Sequence, residues 1–158
     1  MIISKWRMAA AVNRFPFALR TIHAVWRLSR PHFSAGAVGV LFNPLGEVLL
    51  VEHVYHTNPR WGLPGGYVDR GEDPQESVAR EMHEELGLEV EVIRVVLVER
   101  GYGNHLDIAY LCRSDGSVGH ICDELLDYRW VQPDQLPEIR SFHRKAVHEA
   151  LALLDVNV

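Results

Sequence analysis

The chain has 158 residues, 47% of them hydrophobic and 23% charged, the length and balance of an ordinary soluble globular domain with a core of its own. Its formal net charge of −5 is unevenly placed: residues 1–46 hold six Lys and Arg and no acid, whereas the rest holds ten basic residues and all 21 acids. An acidic body excludes general nucleic-acid binding, two cysteines exclude a disulfide framework, and the lack of any apolar run of about 18 residues excludes a spanning helix.

Residues 1–30 read as a basic amphipathic helical segment, broken near Pro16. Trp6, Phe15, Phe17, Leu19, Ile22, Val25, Trp26 and Leu28 alternate irregularly with Arg and Lys. Such a segment is expected to pack on the domain or on a second copy, giving a homodimer. A transit peptide or a membrane-surface helix are the competing readings, and membrane contact is not the expectation.

Residues 31–158 read as one α/β domain. A strand over 34–43, a turn at Asn43-Pro44-Leu45-Gly46 and a strand over 47–54 predict a hairpin. A polar loop over 55–60 leads into Trp61-Gly62-Leu63-Pro64-Gly65-Gly66, with a short strand over 66–69 behind it. Three glycines beside a proline let bare backbone approach a ligand. Further strands are expected over 89–100, 105–113 and 127–131, the second with an apolar centre from Asp107 to Cys112. A short helical turn starts at Gln132, and a helix is expected over 141–154.

Between the glycine loop and those strands lies the most informative helix. Asp73 is a good N-cap, Pro74 suits the first helical position and Glu76 completes a capping box. Gly87 supplies the stop, so the helix should run over 74–86. At about 100° per residue, Gln75, Val78, Ala79, Met82 and Leu86 fall on one core-facing stripe, with Glu81, Glu84 and Glu85 in a narrow arc beside it. Carboxylates this close repel one another and, unless fully solvated, need cations. Oxygen donors of this kind suit Mg²⁺ or Mn²⁺, above all with substrate phosphates completing the shell.

The stretch Gly66-Tyr-Val-Asp-Arg-Gly-Glu72, seven further residues, then Arg80-Glu81-Met82-His83-Glu84-Glu85-Leu86-Gly87-Leu88 resembles the signature of the Nudix hydrolases at every charged and glycine position. Met82 is the mild departure, where the family prefers a branched aliphatic residue. The resemblance covers roughly residues 34–154. It implies an α/β/α sandwich around a mixed sheet and hydrolysis of the diphosphate bridge in a nucleoside diphosphate linked to another moiety. It also implies that Glu81, Glu84, Glu85 and the Gly65 carbonyl hold Mg²⁺ or Mn²⁺. One of these glutamates, with Glu81 the first candidate, would be the general base. Arg80 would orient the glutamates, and Glu72 would steady the loop–helix junction or join the metal shell.

Beyond that stretch, Glu99, Asp123 and Glu124 are candidates for an additional base or ligand. Tyr55, Arg60, Trp61 and Tyr102 are candidates for contact with a base or sugar. The histidines read as surface or satisfied core groups. The nucleotide should be a small-molecule substrate met in a reducing, cytoplasmic setting. Two other functions compete: a nucleoside triphosphate pyrophosphatase of the MutT-like, house-cleaning type, and a catalytically silent nucleotide-binding module. Family marks of substrate choice are absent: the residue fifteen past Leu88 is Gly103 where many ADP-ribose hydrolases carry proline, and no proline lies between Leu88 and Val131.

Overall fold

The computed structural model describes residues 29–155 together with Thr21, His23, Val25 and Trp26. The chain divides into two compact units, Met1–His32 and Phe33–Val158. In the first, Thr21, His23, Val25 and Trp26 are helical. The Ser29 amide donates to the carbonyls of Val25 and Trp26, and the Arg30 guanidinium lies 4.2 Å from the centre of the Trp26 ring. The expected break near Pro16 and most of the expected amphipathic pattern lie outside the described residues.

Among the described residues the second unit holds seven strands and two helices: β1 (Ser34–Leu41), β2 (Val48–His53), β3 (Trp61–Gly62), β4 (Gly65–Tyr67), α1 (Pro74–Leu86), β5 (Glu91–Arg100), β6 (His105–Arg113), β7 (Leu125–Val131) and α2 (Ser141–Asp155). A mixed sheet has the order β4-β1-β6-β5, with β1 and β6 parallel. A second, antiparallel sheet has the order β3-β2-β7. The central strands β1, β2 and β6 are largely buried, as expected where helices cover a sheet from two sides, whereas β5 and β7 are largely exposed. Leu49 and Val51 of β2 join Val78, Met82 and Leu86 of α1 in one apolar cluster. Their neighbours Val48 and Leu50 join Phe142, Ala146 and Val147 of α2 in the other. The result is the expected α/β/α sandwich.

The expected hairpin of β1 and β2 does not form. The two strands meet only at the bridge Phe42↔Val48 and then enter different sheets. The cause is competition: β4 and β6 occupy the two edges of β1, which leaves β2 to pair with β3 and β7. The start of the glycine loop is itself a strand, with Val51↔Gly62 and Glu52↔Trp61 in register. Gln132 opens a turn closed by the Gln135 amide at 2.8 Å, not a helical turn.

Helix α1 begins and ends where its capping residues place it. The Asp73 carboxylate accepts the Gln75 amide at 2.9 Å, and Glu76 accepts the Asp73 amide at 3.4 Å. Gly87 takes the left-handed conformation at φ 63°, and its amide donates to His83. Asp73→Ala should cost about 1 kcal/mol, read as a lower midpoint in urea denaturation with an unchanged slope. The buried stripe is Val78, Met82 and Leu86 with Ser77 and Glu85. Gln75 is exposed and Ala79 half-buried, because the stripe is turned toward Glu85. Both cysteines are free; burial pushes the Cys112 thiol up to about 12, which makes it inert.

Candidate functional site

Arg80 is the hub of the carboxylates. Its guanidinium forks onto Glu72, with Nε 2.8 Å from Oε1 and Nη2 3.2 Å from Oε2. Its Nη1 reaches Glu81 at 2.9 Å and Glu84 at 3.3 Å. The bond from Arg80 holds the Glu72 carboxyl down at about 2, helped by the Asp69 amide that it accepts at 2.9 Å. The counter-charge that the sequence demands for this helix face is therefore supplied in part from within the helix. Glu84 is the most exposed of the three helix glutamates, with its side chain 59% exposed.

Glu85 is the exception. It is only 6% exposed, and among the described residues no Lys or Arg pairs with it. Its Oε2 accepts the Gly65 amide at 3.1 Å, and its Oε1 lies 3.9 Å from Nδ1 of His53. That approach has the geometry of an ion pair without the charge. Burial, and then the neighbouring His56, bring His53 down to about 4, so its ring is neutral at pH 7. Burial, with Glu81, Glu124 and Glu84 nearby, raises the Glu85 carboxyl to about 8. Glu81 is raised as well, again chiefly by burial.

A cavity of about 350 Å³ opens onto Glu81, Glu85, Glu124, Arg80 and the Gly65–Gly66 backbone. The glycines are required here. Gly65 has φ 138°, and a Cβ on it would lie 2.2 Å from the Ala37 carbonyl oxygen; a Cβ on Gly66 would lie 2.4 Å from Oε1 of Glu81. Among the described residues no three His, Cys, Asp or Glu groups are already gathered as a metal cage, and Glu81 is bonded to Arg80. The donor chemistry nevertheless fits a hard divalent ion, with carboxylates lining one cavity and one of them buried without a cation.

A second cavity, of about 140 Å³, shares His53, His56, Gly65, Gly66 and Tyr67 with the first and continues to His105, Asp107, Arg140 and His143. His143 is buried and brought down to about 3 by that burial. Its neutral Nδ1 accepts the Leu63 amide at 3.0 Å and so pins the glycine loop to α2.

Of the candidate contacts for base or sugar, Tyr55 lines the larger cavity. Arg60, Trp61 and Tyr102 line neither. The Trp61 ring is half-buried with the Arg129 guanidinium 3.7 Å over it, and Tyr102 is 99% exposed. Glu99 is paired with Lys145 at 2.7 Å, whereas Glu124 faces Glu81 and Glu85. His53, Tyr67, His105, Asp107, Arg140 and His143 escape a motif reading. One signal was present: Asp107 is an acid inside an otherwise apolar strand, and such a group needs a reason.

No helix among the described residues is long and apolar enough to cross a membrane. A family model, the NUDIX domain, matches residues 32–150. The chain is similar to a MutT-like protein of Streptomyces ambofaciens, at 31% identity over 128 residues, covering 80% of this chain and 79% of that one. It is also similar to the NAD-capped RNA hydrolase NudC of Erwinia tasmaniensis, at 30% identity over 112 residues, covering 68% of this chain but only 43% of that protein. The crystal structure of a UDP-X diphosphatase superposes with a TM-score of 0.68 at 17% identity, over 87% of this chain and 72% of that one, a likeness of fold.

Proposed function

Because this chain belongs to the Nudix family and is a Nudix hydrolase, we propose that it cleaves the diphosphate bridge of a nucleoside diphosphate linked to another moiety, with Mg²⁺ or Mn²⁺ bound. The observation that carries this reading is Glu85: a buried carboxyl without a cation, facing a cavity shared with Glu81 and Glu124. A buried acid in that state is a ligand waiting for charge. The names of the relatives, an NAD-capped RNA hydrolase and a UDP-X diphosphatase, are compatible with a diphosphate-bridged substrate.

In this proposal Glu85, Glu81 and the Gly65 carbonyl hold the ion, and Glu124 adds a ligand or base that topology brings in. Glu84 assists from outside the cavity. When bound, a divalent ion neutralises the phosphate oxygens and makes water more acidic. Arg80 bonds both Glu72 and Glu81 and so ties the loop to the helix that carries the donors. Water oxygen bonds to one phosphorus and the bridging P–O bond breaks, with the pair of electrons leaving on the second phosphate. Glu81 or Glu124 takes the proton of the water, and Glu→Gln at each position separates the two roles. Tyr55 stands at the mouth for the nucleotide.

The test is a hydrolysis screen with Mg²⁺ and Mn²⁺ across nucleotide sugars, dinucleotides and triphosphates, with products identified. Two phosphorylated products from a bridged substrate are expected. Pyrophosphate from triphosphates would favour the house-cleaning reading. No metal-dependent product from any substrate would leave only a silent nucleotide-binding module.

A further inference from the structure

The smaller cavity carries more information than its size suggests. Three polar side chains stand in a row on its wall. Ser34 Oγ lies 2.7 Å from Nδ1 of His105; the carboxylate facing the other ring nitrogen favours the tautomer in which Nδ1 accepts from the hydroxyl and Nε2 carries the proton. Nε2 is 3.5 Å from Oδ1 of Asp107. On the other side, Nη2 of Arg140 is 3.6 Å from Oδ2 of the same carboxylate. Asp107 is 7% exposed, so its flanking donors define what it can accept from. Both separations exceed a good hydrogen bond, which leaves all three groups capacity toward a ligand. Along the wall the order is donor, acceptor, donor.

Only one kind of nucleobase edge is complementary to that order: acceptor, donor, acceptor, the imide edge of a uracil-type ring. Cytosine would set its amine against the His105 N–H and its ring nitrogen against the Asp107 carboxylate. Guanine would oppose its amine to Arg140. Size agrees. The cavity is about 140 Å³, close to the roughly 150 Å³ that accommodates one benzene ring, which suits a single pyrimidine ring. The Tyr67 ring, 5.4 Å from His105 and edge-on to it, adds an aromatic wall. The shared Gly65–Gly66 lining then directs the phosphates of a bound nucleotide toward Glu81 and Glu85.

We infer that His105, Asp107 and Arg140 form a base-reading subsite selective for uridine-type nucleotides. This rests on the pyrophosphohydrolase reading for the reaction, not for the binding. Titration calorimetry of the full chain with UMP, CMP and AMP should show UMP binding roughly 10- to 100-fold more tightly than the other two. Asp107→Asn should remove most of that preference, because its amide cannot accept between two donors as the carboxylate does. Arg140→Gln, at a half-exposed position where folding is not at risk, should lower UMP affinity and be checked by an unchanged thermal midpoint. Equal affinity for the three nucleotides, or a preference that survives both substitutions, overturns the inference. Hydrolysis without uridine preference would defeat it while sparing the proposed function; selective UMP binding without hydrolysis of any substrate would do the reverse.

Discussion

Glu85→Gln is expected to abolish turnover and, in metal-free buffer, to make the protein more stable at alkaline pH. The loss of activity should be at least roughly 10²- to 10³-fold in kcat, the size seen when one preorganised electrostatic group is removed from a site. The gain in stability follows from the carboxyl being raised from 4.5 to about 8. Between those two values the folded protein keeps a proton that the unfolded chain has lost. The stabilisation is fully present below the unfolded value and is lost as pH rises through the folded one. Stability of the metal-free wild type therefore falls across that window, by about 1.4 kcal/mol per pH unit at most. Glutamine has no such dependence, and its amide oxygen can still accept the Gly65 N–H. Denaturation of both proteins in EDTA at pH 5 and pH 8 should show a difference that widens with pH. A constant difference, or an active variant, would count against the role given to Glu85.

Chelation should stop turnover, and returning Mg²⁺ or Mn²⁺ at pH 7 should release about one proton for each ion bound. Glu85 must give up its proton to serve as a ligand, and at pH 7 most of the metal-free protein carries that proton because the group is raised to about 8. Calorimetry in buffers with different heats of ionisation reads the number directly. It should fall toward zero as pH rises past 9, and Glu85→Gln should release none. Proton release that is absent at pH 7, or that Glu85→Gln retains, would mean that another group binds the ion.

The helix that carries this chemistry was legible because its ends are chemically marked. Asp73, Pro74, Glu76 and Gly87 act over one turn each, so local reading suffices. The hairpin was misread for the opposite reason. A strand–turn–strand pattern reports local preference, whereas the partners of β1 come from residues 65–67 and 105–112, and no local signal shows that its edges are taken. The glutamates show the same limit. Periodicity places Glu81, Glu84 and Glu85 on one arc, but it cannot tell that Arg80 neutralises two of them and leaves the third buried. Nor could spacing foresee Asp107 and Arg140 as neighbours: one lies on β6 and the other just before α2, and only the packing of α2 on β6 brings them to the same cavity. The identity of Asp107 was the one visible clue.

Strand β2 is a party wall. Leu49 and Val51 lean toward α1, Val48 and Leu50 toward α2, and the side of each is set by parity alone. Deleting a single residue within it would exchange the tenants of the two halves and unseat both helices together. Length variation in this part of the chain must therefore be confined to the turn at 43–46 and the loop at 54–60, where the backbone lies outside the ladder. Drift by insertion and deletion has room to remodel the mouth of the cleft at 54–60, but not the wall behind it.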